Sequence, residues 1–432
     1  MRLQTGNHNR IAQNAGWLIG GKAVQMLISL MVGMLTARFL GPGNYGLIQY
    51  AAAYTAFFAS VCTLGIHSVL VRELIDAPQN DGMIMGTALG LQTASSLCSV
   101  IAICAFSAVF DRGEPTTVLV VALYSLGSVF HVFDTFHLWF GARLQSKISA
   151  AASLIAYTAA AIYKIVLLLL GKSVVYFACT SSIEALCVAA ILYFCYRREQ
   201  GGRLSFSLTY GRDLLGRSYH YILSGMMIAV YGQTDRLMLK HMMHEAETGY
   251  YAAAATLSSL WCFVLSAIID SVNPSVMRAY HEDKAAFERW NRRLYCIVFY
   301  LCAAVSAGFM IFGEVLIGLL YGDAYLPAVQ PLKIMTWYTA FSYLGVARNA
   351  WVVCNHTQKY LKYICASAAA VNVMLNLLLI PSMGAVGAAI ASLVTQFVTV
   401  FVTPFLIRDM RANAVLMIQA ICFRGIGNGE SR

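Results

Sequence analysis

Eight ionisable side chains fall inside long apolar stretches of this chain: Lys22, Asp134, Lys164, Glu184, Asp235, Arg236, Lys333 and Arg348. A charge surrounded by hydrocarbon costs about 2.5–3.5 kcal/mol or more unless it is paired or faces a polar interior. Such residues are therefore the first candidates for function. Lys22 and Glu184 stand nearest the middle of their stretches, where reaching the interface is hardest. Lys164, Arg236 and Lys333 lie towards the outer ends and Arg348 towards an inner end, so their long stems can alternatively carry the charge to the headgroups. Asp235 beside Arg236 is open to a plainer account, a local ion pair or a helix-end feature. Five of the eight are cations. A cavity lined by Lys and Arg suits an anionic substrate, above all phosphate, which Arg grips with two hydrogen bonds at once. A proton-coupled exporter of cationic compounds would more naturally present buried carboxylates. Lys22, Lys164, Arg236, Lys333 and Arg348 are thus candidate substrate-binding residues, and Asp134, Glu184 and Asp235 candidate coupling or structural acids.

His131, Asp134 and His137 recur at every third position, which puts neighbours close together on one helix face. That spacing is compatible with a metal or proton-relay site, but a polar face against another helix or near the cytoplasmic headgroups is the better account. No metal site and no cofactor are expected. There is no G-x-x-x-x-G-K-[ST] loop, which argues against ATP hydrolysis by this chain. Nine of the twelve cysteines, Cys98, Cys104, Cys179, Cys187, Cys195, Cys262, Cys296, Cys302 and Cys365, fall in apolar segments, and none forms a C-x-x-C pair. Free cysteine behaves as a small hydrophobe, so a disulfide or metal framework is not expected.

The elements that must position these residues are membrane spans. Hydrophobic residues make up 59% of the chain and charged residues 12%, against roughly 25% charged in a soluble domain. About twelve apolar stretches approach or exceed the ~20 residues of a spanning helix. Prolines at their ends help to place helices near 11–36, 45–70, 83–110, 116–140, 148–170, 174–196, 218–240, 249–271, 294–319, 327–352, 361–380 and 384–407. The expected fold is an all-α polytopic membrane protein. The amino terminus leads into a segment with no cleavage site before Lys22, so it reads as a retained first helix. Residues 412–423 are apolar but too short to span, and are expected to lie in the interface.

The formal net charge of +10 belongs to the loops. Every second gap is basic: Arg72, then Arg143 and Lys147, then Arg197 to Arg217, then Arg278 to Arg293, then Lys359 and Lys362, and finally Arg408 and Arg411. The opposite gaps hold only Arg38, Arg112, Lys172 and Lys240. The positive-inside rule then puts both termini in the cytoplasm. The cations form no stripe interleaved with aromatics, so nucleic acid is not an expected partner. The longest basic gap divides two runs of six helices. Residues 45–54, YGLIQYAAAY, open the second helix as 248–257, TGYYAAAATL, open the eighth. An even number of spans per half makes this a parallel repeat, an arrangement that in transporters commonly encloses a site near the midplane. The expected organisation is an amino-terminal six-helix lobe at 1–199, a cytoplasmic linker at 200–217, a second six-helix lobe at 218–408 and a tail at 409–432.

Four segments in order resemble the bacterial oligosaccharide-lipid flippases, of the superfamily that also holds multidrug-and-toxin exporters and the peptidoglycan-precursor flippase. They are residues 13–51 with the L-G-P-x-x-Y-G turn at Leu40–Gly46, residues 232–254 with Q-x-D-R followed by G-x-Y, residues 312–328, and the G-A-V-G-A-A run at Gly384–Ala389. The resemblance covers nearly the whole chain. It implies two six-helix lobes around a cavity of alternating access in the bacterial inner membrane. The implied substrate is an undecaprenyl-pyrophosphate-linked oligosaccharide, an O-antigen or capsular repeat unit, with the prenyl tail left in lipid. It supports Asp235 and Arg236 as family-type residues, but does not fix Lys164, Lys333 or Arg348 as ligands. Polysaccharide polymerase and glycosyltransferases are the implied pathway partners. Two other readings remain: a cation-coupled drug exporter on the same fold, and an integral-membrane polymerase or acyltransferase. The short outer gaps weigh against the enzyme, and no covalent chemistry is expected.

Overall fold

A computed structural model describes the backbone of residues 2–199 and 201–422, with side chains from Val24 onward except Ser68. Lys22 lies outside the described side chains, and the end of the tail from residue 423 outside the described residues.

All regular structure among the described residues is helical. In the first half run α1 (Arg2–Cys62), α2 (His67–Asp76), α3 (Asp81–Phe110), α4 (Pro115–Ser125), α5 (Gly127–His131), α6 (Thr135–Ala142), α7 (Ser146–Leu169) and α8 (Val174–Arg198). Then come α9 (Leu208–Met242), α10 (Glu245–Ser259), α11 (Cys262–Glu282), α12 (Lys284–Leu320), α13 (Val329–Ala347), α14 (Asn349–Cys354), α15 (Leu361–Phe397), α16 (Thr403–Leu406) and α17 (Arg411–Ile421). Two compact units result, Met1–Gln233 and Thr234–Arg432. The helix α9 crosses the boundary, and residues 208–217 of the expected linker form its first turns.

Seven helical runs among the described residues are long and apolar enough to cross a membrane. The pair α10 and α11, bent by 41° at their break, makes an eighth. Two of the seven are too long for one crossing. Val24–Cys62 has 39 residues and Gln358–Leu406 has 49, about 60 and 70 Å of helix against a core of about 30 Å. Each contains a glycine with a left-handed φ, Gly41 at 73° and Gly384 at 54°, where the helix breaks in two. These are the breaks expected between helices one and two and between eleven and twelve. The other two expected spans, α9 and α13, are not among the apolar runs. They carry Asp235, Arg236 and Lys240, and Lys333, respectively. Expected helix four is also interrupted: α4, α5 and α6 are joined through a 3-10 turn at Val132–Asp134.

Unit 1 is centred on Phe136, Trp139, Phe140 and Tyr196, packed with Ile66, Leu70 and Met85. The extended segment 201–207 lies along α3, because Gly82, Gly86 and Gly90 recur every fourth residue and leave a groove on one helix face. A Cβ on Gly82 would stand 2.4 Å from the Arg203 carbonyl oxygen, and one on Gly86 2.4 Å from that of Ser205. The Ser205 amide donates to the Gly82 carbonyl at 3.2 Å, and the Ser207 amide to Thr87 Oγ1 at 3.0 Å. At the head of α3, Asp81 accepts from Trp139 Nε1 at 3.0 Å and Arg143 Nη2 at 2.8 Å.

Unit 2 has one core around Leu294, Tyr295, Val298 and Trp351 and a second around Leu239, Tyr251, Met335 and Ala388. The tail helix α17 joins the first of these through Leu416, Met417 and Ala420. Asn413 donates to the Tyr295 hydroxyl at 2.7 Å, while Val415 and Ile418 stay exposed. Large apolar side chains such as Ile101, Leu169, Ile311 and Leu378 also point outwards. Hydrocarbon is the solvent that suits such a surface, and helices whose backbone groups are satisfied internally are what it tolerates.

Candidate functional site

Asp235 is carried by α9 into the second core of unit 2, where it is 4% exposed. It accepts four hydrogen bonds. The Tyr251 hydroxyl and Ser392 Oγ donate to Oδ2 at 2.6 and 2.5 Å. Asn372 and Asn376 donate to Oδ1 through Nδ2 at 3.0 and 2.5 Å. The local sequence explains how three helices bring these groups together. On α10, Tyr251 is followed by Ala252, Ala253 and Ala254, all fully buried, whose small side chains admit close packing. Asn372 and Asn376 stand four apart on α15 and so share a face. Ser392 lies on the same run beyond the Gly384 break. Glycine suits the left-handed φ of 54° there, and a Cβ would push aside Glu247 Oε2, the atom that accepts from the Ala385 amide at 2.6 Å. That carboxylate caps the restarted helix, where the macrodipole favours negative charge.

An ionised carboxylate has about four acceptor sites, and here four neutral donors fill them. The hydroxyls of Tyr251 and Ser392, 3.1 Å apart, can rotate to accept instead. The buried Oδ1 of Asn376 has no hydrogen-bond partner. The site is thus one buried carboxylate whose hydrogen bonds come from two amide NH2 groups and two hydroxyls. That donor set suits a proton or a hard cation and offers nothing to a soft metal. Among the described residues no group of three His, Cys, Asp or Glu is placed to hold a metal ion.

Unit 1 holds a related arrangement. Tyr50, also followed by three alanines, donates to both oxygens of Asp111 at 3.0 and 3.1 Å. Ser107 Oγ donates to Asp111 at 2.8 Å. Tyr50 and Asp111 are both buried. The repeat keeps the tyrosine and its alanines, but the acid comes from the end of α3 and not from the preceding helix.

The other sequence candidates divide. Lys164 on α7 and Glu184 on α8 are each half-buried and lie within electrostatic reach of one another, as Glu184 does of His131 and Asp134. Asp134 accepts from His131 Nδ1 at 2.9 Å, and His137 Nε2 lies 3.8 Å from its other oxygen. Lys164, Glu184, His131, Asp134 and His137 therefore form one polar cluster in unit 1. Arg236 and Lys333 are half-buried in unit 2. Arg348 is 5% exposed and donates through Nη1 to the Thr399 carbonyl at 3.1 Å. That carbonyl lies in the π-helical turn Val398–Val402, so one guanidinium nitrogen is committed to the chain's own backbone. Outside the spans, Arg217 pairs with Glu73 and Asp213; its hydrogen bond holds the Asp213 carboxyl below the usual range. Burial, reinforced by Glu73, pushes the Tyr210 hydroxyl up.

Comparison with known proteins agrees with this architecture. A family model described as polysaccharide biosynthesis protein matches residues 35–330. No curated protein sequence matches. Among solved structures, the chain resembles the lipid II flippase MurJ in an inward closed conformation, with a TM-score of 0.71 and 12% identity over 96% of this chain and 93% of that one. It also resembles an inward-facing multidrug resistance transporter of the MATE family and MOP superfamily, with a TM-score of 0.63 and 15% identity over 91% and 96%. A MOP-superfamily transporter from Pyrococcus furiosus gives a TM-score of 0.59 and 14% identity over 95% and 96%.

Proposed function

We propose, from the membership of this chain in the polysaccharide biosynthesis protein family, that it is a flippase for a lipid-linked oligosaccharide. The observation that carries this reading is the family match across residues 35–330, on a fold shared with a lipid II flippase over 96% of the chain. The substrate is an undecaprenyl-pyrophosphate-linked repeat unit of O-antigen or capsule. It crosses the bacterial inner membrane by alternating access, with both termini in the cytoplasm and no bond made or broken. Cations in the apolar segments, among them Lys164, Arg236 and Lys333, receive the pyrophosphate. Asp235 couples translocation to a cation or proton, because its neutral neighbours can exchange a hydrogen bond for either. Glycosyltransferases supply the substrate and a polymerase consumes it.

The MATE-like fold also favours a second reading, a cation-coupled drug exporter. Deleting the gene separates the two. Loss of surface polysaccharide with accumulation of the lipid-linked repeat unit supports the flippase. Intact polysaccharide with new sensitivity to cationic drugs refutes it.

A further inference from the structure

We propose that a basic pocket in unit 2, formed where α11, α14 and α16 end and α12 and α17 begin, binds the phosphate-bearing headgroup of an anionic lipid. The pocket encloses about 900 Å³. Lys284, Arg292, Arg408 and Arg411 line it, against two acids, Glu288 and Asp409. One of those acids is already engaged: Asp409 accepts from the Tyr360 hydroxyl at 2.6 Å. Arg411 is steered by its own neighbourhood, with Nε donating to the Phe405 carbonyl at 3.1 Å and the guanidinium 5.3 Å from the Phe405 ring. Its two terminal nitrogens are left for a ligand. Among the described residues, Lys284, Arg408 and Arg411 make no ion pair.

Two separate basic gaps of the sequence, those after expected helices eight and twelve, supply these cations, and Asn355 from the gap after expected helix ten joins the lining. The positive-inside pattern by itself asks only that these cations share a side of the membrane. It does not ask that they surround one cavity. The floor of that cavity is apolar, with Phe287, Trp351 and Leu416 all buried, while Leu406, Val415 and Ile418 beside it are exposed. A free anion needs only the cations. A lipid needs cations for its headgroup and exposed apolar surface next to them for its chains, and both are present. Basic pockets between spans are established headgroup sites of this kind. Two sources share the chemistry: a bulk anionic phospholipid, and the pyrophosphate of a polyprenyl carrier.

The test titrates the purified full-length protein with phosphatidylglycerol, phosphatidylcholine or undecaprenyl pyrophosphate and counts bound lipid by native mass spectrometry. At least one of the two anionic lipids is expected to bind tenfold or more tighter than phosphatidylcholine. Lys284→Gln and Arg408→Gln should each weaken it about fivefold, and Glu288→Gln should tighten it, a gain that misfolding cannot produce. Preference for phosphatidylglycerol assigns the site to bulk lipid, and preference for undecaprenyl pyrophosphate assigns it to the carrier. Equal binding of all three lipids, insensitivity to the substitutions, or displacement by millimolar inorganic phosphate overturns the proposal.

Discussion

Replacing Asp235 by asparagine separates the charge of the buried site from its shape. The four donors meet the carboxylate in two pairs, the two amides at Oδ1 and the two hydroxyls at Oδ2. An asparagine placed with its oxygen towards Asn372 and Asn376 keeps the first pair. Its amide group then faces Tyr251 and Ser392, whose hydroxyls can turn and accept. Charge-assisted hydrogen bonds of about 1.5–3 kcal/mol become neutral ones of about 0.5–1.5, about 4–6 kcal/mol over four bonds, while the several kcal/mol spent on desolvating the buried charge are recovered, so the fold should lose about 1–3 kcal/mol. Alanine is a different perturbation, because it strands four buried donors. At about 0.6 kcal/mol for each hydrogen bond inside a membrane the loss is at least about 2 kcal/mol. At 1–3 kcal/mol for each stranded group it approaches 10. The alanine variant should therefore be scarce or unstable in detergent, and the asparagine variant abundant, with a melting temperature only a few degrees lower. Export should nevertheless fail in the asparagine variant, since an amide cannot carry the coupling charge. The assay pairs thermal unfolding of the purified protein with surface polysaccharide in complemented cells. Normal polysaccharide from Asp235→Asn would make the carboxylate a purely structural acceptor and refute the coupling role.

Three further outcomes follow from distances and charges within single units. Gly86→Leu cannot accommodate the Ser205 carbonyl, whose oxygen already lies 2.4 Å from an ideal Cβ, so segment 201–207 should lift from α3; tryptic cleavage after Arg203 should accelerate at least tenfold, and unchanged resistance would contradict the docked segment. If Lys164 and Glu184 balance one another, Lys164→Gln and Glu184→Gln should each lower export more than the double variant does, a coupling read from a double-mutant cycle; additive losses would leave each residue with a separate role. Tyr50→Phe removes the hydroxyl shared by both Asp111 oxygens while Ser107 still donates, and should cost about 1.5–3 kcal/mol, the worth of one hydrogen bond to a charged group; a melting temperature equal to that of the unaltered protein would show that Asp111 is satisfied without it.

Much of this architecture is legible in the sequence, because hydrocarbon imposes long apolar helices and tolerates breaks only at special residues. Gly41 with Pro42, and Gly384 beyond Pro381, mark such breaks in advance. The basic gaps likewise single out one side of the array. The membrane candidates Lys164, Asp134 and Glu184 stand out by charge alone, and the structure gathers them with His131 and His137. The surroundings of Asp235 were not legible in the same way. Its partners are uncharged, and Ser392 lies 157 positions away, so neither charge nor local spacing points to the group. Asn372 and Asn376 offered the one available signal: two amides four residues apart in an apolar span must find partners. Asp111 was hidden by its place directly after the apolar run of α3, where an acid reads as a loop residue although it is buried. The tail helix does more than its apolar length shows: Leu416, Met417 and Ala420 pack into a core of unit 2, while Val415 and Ile418 stay exposed.

Lipid movement itself is the most direct test. Purified protein reconstituted into vesicles with a fluorescent undecaprenyl-pyrophosphate oligosaccharide in both leaflets should make nearly all of that lipid accessible to a membrane-impermeant quencher or glycosidase within minutes. Vesicles without protein, or with Asp235→Asn, should expose only the outer half. A cation gradient should change the rate. Accessibility that stays at half with the unaltered protein under every gradient would contradict the flippase.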